Sequence, residues 1–131
     1  MLSALLAPIL RERFPDRGLV VGEPPGAVAW FPGVHPGIRG VSVYDEGDEL
    51  TVAVDDVTHG HFAEYEDALS VADREARVVN AVVDFLHKLF ADRVAVWGRP
   101  DAAGGWYRID LRDTDAPGGA PESVWSGPRG V

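Results

Sequence analysis

From Leu69 to Phe90 the chain carries an apolar seam at helical spacing, formed by Leu69, Ala72, Ala76, Val79, Val83, Leu86 and Phe90. From Val78 onward a second stripe, Val78, Val82, Phe85 and Leu89, runs beside it. Ser70 offers a capping hydroxyl ahead of the seam, and Asp73 and Glu75 put negative charge near the positive end of the helix dipole. The pattern predicts a helix from Ser70 to about Ala91, some 21 residues and roughly 30 Å long at 1.5 Å per residue. Its early face is narrow and built of small residues, whereas its late face is broad and must be covered from more than one side. On the wet face, Asp73 with Arg77 and Asp84 with Lys88 stand four residues apart as opposite charges.

The segments around this helix read as strands. Leu19–Val21, Ala27–Phe31, Val41–Tyr44, Leu50–Val54, Val94–Trp97 and Trp106–Leu111 are short, apolar and rich in β-branched or aromatic residues. Between Val41–Tyr44 and Leu50–Val54 the five residues from Asp45 to Glu49 form a hairpin turn, with Gly47 free to take positive φ. Phe31–Gly37 and Gly98–Gly105, both dense in glycine and proline, read as loops, and Gly22–Gly26 and Thr58–Phe62 read as turns. Leu2, Leu5, Leu6, Ile9, Leu10 and Phe14 mark a short N-terminal helix, kinked or delayed by Pro8. The order is helix, strands, long helix, strands. It predicts an α+β fold: a curved antiparallel sheet of about five to six strands, the long helix packed across one face, and a short N-terminal helix.

A length of 131 residues, with 46% of them apolar, fits one domain, expected over residues 1–111. Residues 112–131 hold three prolines and four glycines without periodicity and read as a mostly irregular tail. Trp125 lies in that tail and is expected to tuck onto the domain, while Trp30, Trp97 and Trp106 suit strand packing. The chain has no cysteine, which excludes disulfides, thiolate metal sites and a cysteine nucleophile. The apolar start, Met1 to Leu10, lacks a basic region ahead of it and a cleavage site behind it, and no run reaches membrane-spanning length. A soluble cytoplasmic protein is the expectation.

Charge is unevenly placed. The formal net charge is −9, from 12 basic and 21 acidic side chains. No Lys or Arg occurs between Arg39 and Arg74, yet Asp45, Glu46, Asp48, Glu49, Asp55, Asp56, Glu64, Glu66, Asp67 and Asp73 all fall there. Such a field repels nucleic acid and anionic lipid and attracts a basic protein or a cation. Within it, Asp55 to Glu64 contains His59 and His61, which with Glu64 could ligate one divalent transition metal such as zinc or iron. His35 could join them if its loop folds back. The His-x-His and later glutamate of cupins have counterparts in His59, His61 and Glu66, but Ala53 stands at the cupin glycine and a helix follows. The His-x-His of amidohydrolases sits in a barrel of about 250 residues, so neither family's roles are carried over. None of Ser3, Ser42, Ser70, Ser123 and Ser126 has the setting of a nucleophile elbow, and no phosphate-cradling glycine pattern occurs. His87, near the end of the long helix, suits a capping or surface role.

In element order, size and acidity the chain resembles the type III secretion chaperones, and in size and charge the toxin-neutralising immunity proteins, without a shared residue motif. The resemblance implies a non-enzymatic interaction domain, with no cofactor, that presents Asp45, Glu46, Asp48, Glu49, Asp55, Asp56, Glu64, Glu66 and Asp67 to a basic protein partner. The alternative is a small metal-binding protein or metal-dependent enzyme centred on His59, His61 and Glu64. A homodimer closed through the face from Val78 to Phe90 is a further expectation.

Overall fold

A computed structural model describes residues 2–22, 26–55, 58–99, 102–109 and 122–128. The first helix, α1 (Leu2–Arg13), is followed by β1 (Val20–Val21), β2 (Ala27–His35), β3 (Ile38–Asp45), β4 (Glu49–Val54) and β5 (Thr58–Ala63). The long helix α2 (Val71–Phe90) then leads into β6 (Val94–Arg99), β7 (Ala102–Arg108), β8 (Glu122–Val124) and β9 (Gly127–Pro128). The fold is α+β. Strands β1 to β5 make one antiparallel sheet in chain order, and β7-β6-β8-β9 make a second, smaller one.

Alternation along the strands decides which residues form the core. Ala29 and Phe31 of β2, Val41 and Val43 of β3, and Leu50, Val52 and Val54 of β4 all face inward and are buried. Against them lie Leu2, Leu6, Leu10 and Phe14, a stripe at every fourth residue along and just beyond α1, and the two seams of α2. Burying each such Leu, Val or Phe stabilises the fold by about 1.5–3 kcal/mol relative to leaving it exposed. The broad late face of α2, expected to be open to a second copy, is covered by the chain itself. Val78, Val79, Val82, Val83, Phe85, Leu86, Leu89 and Phe90 are all buried.

The helix ends follow local chemistry. Ser70 accepts a hydrogen bond from the Asp73 N–H at 3.1 Å, the cap read from the sequence. At the other end Asp92 takes φ of 61°, and the Asp92 and Arg93 N–H groups close on the Leu89 and Lys88 carbonyls. Helix α1 runs through Pro8 without interruption, and its start is held from outside. The Asp45 carboxylate accepts from the Ser3 N–H at 3.1 Å with one oxygen and from the Gly47 N–H at 2.8 Å with the other. A turn acid thereby occupies one of the free donors at the helix N-terminus, where negative charge is favoured.

Besides β5, which covers the expected turn at Thr58–Phe62, three stretches read as loops or irregular chain are strands. β2 continues through Pro32 and Gly33 to His35, and only a tight turn separates it from β3. Proline and glycine are tolerated there because the pairing is bulged between Pro32 and His35. β7 starts at Ala102, so the hairpin expected over Gly98–Gly105 is far shorter. Within the tail, Ser123 pairs with Val96 and Val124 with Gly127. The Asp92 carboxylate accepts from both the backbone N–H and the hydroxyl of Ser126. The Gly37 N–H donates to His35 Nδ1, so His35 Nε2 carries the proton and donates to the Val124 carbonyl at 3.0 Å. Trp125 is inserted into the core, 1% exposed. Residues 110–121 and 129–131 of the chain lie outside the described residues.

Candidate functional site

The acids of the Asp45–Asp67 segment divide by what their carboxylates already hold. Asp45 is taken by α1 and its own turn. Asp55, at φ of 49°, accepts from the Arg39 N–H at 2.6 Å and the Gly40 N–H at 2.8 Å, which binds the end of β4 to β3. These two are fold-forming carboxylates. Asp56 lies outside the described residues. Glu64 accepts from the Glu66 N–H and stands 3.9 Å from Arg77 of α2. That arginine was expected to pair with Asp73. The Glu66 carboxylate accepts weakly from the Ala68 N–H at 3.4 Å. Glu46, Asp48 and Asp67 are exposed.

Asp48 and Glu64 meet across a cleft of about 250 Å³ between the β3–β4 turn and the start of α2, lined also by Gly47, Tyr65, Val71, Arg74, Glu75 and Val78. Its apolar lining is unusual for so acidic a region. Tyr65 and Val71 are 63% and 64% exposed. The Tyr65 hydroxyl donates to Glu49 Oε2 at 3.3 Å. Its ionisation is pushed above the ordinary value of 10.0, first by the Asp48 charge, then by desolvation, the Glu49 charge and this hydrogen bond. The phenol thus reports a negative potential at the mouth of the cleft.

Ionising Tyr65 would add a negative charge beside Asp48 and Glu49, so the fold favours the neutral phenol, and that preference disappears as pH rises through the raised pKa. In an NMR pH titration the Tyr65 ring resonances should titrate above the free-tyrosine range. Asp48→Asn should lower the midpoint, and salt should do the same by screening. A midpoint unmoved by Asp48→Asn would remove the acid–phenol coupling.

The histidine pair is on a strand, not in a loop. Along β5, Thr58, Gly60 and Phe62 turn toward the helices, where Phe62 meets Phe85 at 5.6 Å between ring centroids. His59 and His61 therefore share the opposite, outer face of the sheet, with ring centroids 5.3 Å apart. Gly60 has no side chain because Trp106 lies against its inner side. His61 Nδ1 is 2.9 Å from Thr51 Oγ1 and 3.2 Å from Glu49 Oε1. These are the residue types of a nucleophile–base–acid triad, but the geometry is wrong for one. The hydroxyl and the carboxylate share one ring nitrogen, whereas a triad needs them on opposite nitrogens, and Thr51 is buried. Glu64, expected as a third metal ligand, is engaged instead with Glu66 and Arg77. His35 is likewise occupied, at the β2–β3 turn. Among the described residues no group of three or more His, Cys, Asp or Glu could hold a metal ion.

Tyr65, Val71 and Arg74 of the cleft were missed in the sequence. The available signal was a single aromatic between Glu64 and Glu66, and a valine beside Ser70 lying off both helical seams. No described helix is long and apolar enough to cross a membrane. Scans of protein-family models, curated proteins and solved structures each found no match to this chain.

Proposed function

We propose that this chain is a non-enzymatic interaction domain whose acidic surface receives a basic protein partner, with the Tyr65 cleft as its contact centre. The observation that carries the reading is the pairing of exposed Tyr65 and Val71 with Asp48, Glu64 and Glu75 around one cleft. Charge alone would steer a basic partner without fixing where it lands. An apolar floor whose rim carries three carboxylates against one cation, Arg74, suits the aliphatic stem and charged head of arginine or lysine, and the Tyr65 ring can take a guanidinium over its face.

A synthetic arginine-rich peptide, titrated by calorimetry, tests this. Affinity should fall steeply as salt rises. Tyr65→Ala, which leaves the net charge unchanged, should weaken binding by about five-fold, the worth of one exposed cation–π contact. Asp48→Asn should weaken it more than Glu12→Gln, an equal charge change on the exposed face of α1. If Tyr65→Ala binds like the wild type and the two acid variants behave alike, the peptide is held by diffuse charge and the cleft is not the site.

A further inference from the structure

Neither histidine of β5 is used by the acidic cleft. Strand alternation has placed both on the outer sheet face, separated by a glycine that belongs to the inner one. Two side chains at i and i+2 on one face are held by the backbone at a fixed spacing. For a metal bound through imidazole nitrogens at about 2.1 Å, each ring centroid lies about 3.2 Å from the ion, so a tetrahedral angle sets the centroids about 5.2 Å apart. The observed separation is 5.3 Å. The ring centroids therefore stand at the spacing of a chelating pair, with the ring planes 85° apart.

The neighbours of His61 set its tautomer. A carboxylate can only accept, so Glu49 Oε1, 3.2 Å from Nδ1, selects the ring form with the proton on Nδ1. Thr51 Oγ1 accepts from the same N–H. Nε2 is left with its lone pair, which is the arrangement of metal-ligating histidines whose other nitrogen is held by a carboxylate. Glu49 is itself steadied by the Tyr65 hydroxyl. The surrounding negative charge favours a cation. With two protein donors, the remaining positions fall to water or to a donor from another molecule.

We propose that His59 and His61 form a two-imidazole site for a divalent transition metal on the outer face of the five-stranded sheet, with Glu49 as the positioning residue for His61. The usual order of divalent affinities puts Cu²⁺ ahead of Ni²⁺ and Zn²⁺ at nitrogen donors, while the tetrahedral spacing of the rings suits Zn²⁺ without adjustment; Mg²⁺ and Ca²⁺, which require oxygen donors, are excluded.

The test uses the full chain without a histidine tag, titrated with Cu²⁺, Ni²⁺, Zn²⁺ and Mg²⁺ salts. One Cu²⁺ should bind per chain, with an electron paramagnetic resonance spectrum showing coupling to two nitrogens. His59→Gln or His61→Gln should reduce that to one nitrogen and weaken binding at least about ten-fold, in line with losing one of two donors. Glu49→Ala should keep both nitrogens but weaken binding by about 10–100-fold, and Glu49→Gln, whose amide oxygen can still accept, should recover part of that loss. Glu64→Gln should bind like the wild type. Two-nitrogen Cu²⁺ binding that survives in the double His59→Gln, His61→Gln variant would overturn the site, as would Mg²⁺ binding as tightly as Cu²⁺. Full affinity in Glu49→Ala would remove Glu49 from it.

Discussion

Replacing Trp125 with alanine is expected to destabilise the protein by about 3–5 kcal/mol, the usual cost of emptying a large aromatic site in a core. Trp125 is 1% exposed and packs on Phe90 at 4.8 Å between ring centroids. Phe90 in turn contacts Phe14 and Phe31, both at 5.2 Å, so the indole closes an aromatic cluster drawn from α1, β2 and α2. Alanine would leave that cluster without its fourth ring. It would also loosen the short β8–β9 pair, otherwise anchored by Asp92, His35 and β6. Trp125→Phe should behave differently. Among the described residues the indole Nε1 is buried without a hydrogen-bond partner, and such a donor costs about 1–3 kcal/mol. Phenylalanine loses some area but also removes that donor, so its cost should be no more than about 1 kcal/mol by the same balance. Urea unfolding of the two variants checks both parts. An alanine variant with the wild-type midpoint would take Trp125 out of the core, and a phenylalanine variant as unstable as alanine would show that the unpaired N–H carries no penalty.

What the sequence revealed and what it hid divide along one physical line. The α2 cap at Ser70, its two seams and the Asp45–Glu49 turn with Gly47 at φ of 101° depend on residues a few positions apart, so local rules find them. Three of the strands missed or cut short, β3, β5 and β7, contain a glycine against which a distant ring supplies the missing surface. Trp30 lies over Gly40, Trp106 over Gly60 and Trp97 over Gly105. A glycine with an aromatic across it is a sound strand position, but only the folded pairing shows which tryptophan does the covering. Read locally, the same glycines look like breaks. This is why Thr58–Phe62 read as a turn and Gly98–Gly105 as a long loop.

Charge has the same limit. Counting acids picks out a segment, and two of its members, Asp48 and Glu64, line one cleft. It could not separate them from Asp45 and Asp55, whose carboxylates are already filled by backbone N–H groups of α1, the turn and β3. A carboxylate that lines a cleft and one that ties strands together are the same letter. Nor could spacing alone show that Glu49, from the neighbouring strand, and not Glu64, three residues away in sequence, stands beside His61.

The other large effect should come from Gly33→Ala. A Cβ built on Gly33 would fall 1.7 Å from the Ile38 carbonyl oxygen and 2.8 Å from its carbon, with the Arg39 carbonyl carbon at 3.0 Å. All three obstacles are backbone of the paired strand, so no side chain can swing away to make room. The contact lies inside the bulge between the Pro32–Gly40 and His35–Ile38 pairs, where the two chains approach closely. Relief requires opening the hairpin end. That motion would pull Ile38, which is fully buried, from the core and shift His35 away from the Val124 carbonyl. The loss should reach at least about 3 kcal/mol, in the range of severe single substitutions. Gly47→Ala provides the comparison: its φ is 101° but nothing lies near its Cβ, so it should lose only about 1 kcal/mol from backbone strain. In thermal melts Gly33→Ala should therefore fall well below Gly47→Ala. In NMR spectra its perturbations should extend to Ser123 and Val124, on the far side of the His35 hydrogen bond. Equal melting temperatures would mean that the β2–β3 strands are not as close at Gly33 as described. A large loss confined to the hairpin would mean instead that His35 does not couple it to the C-terminal strands.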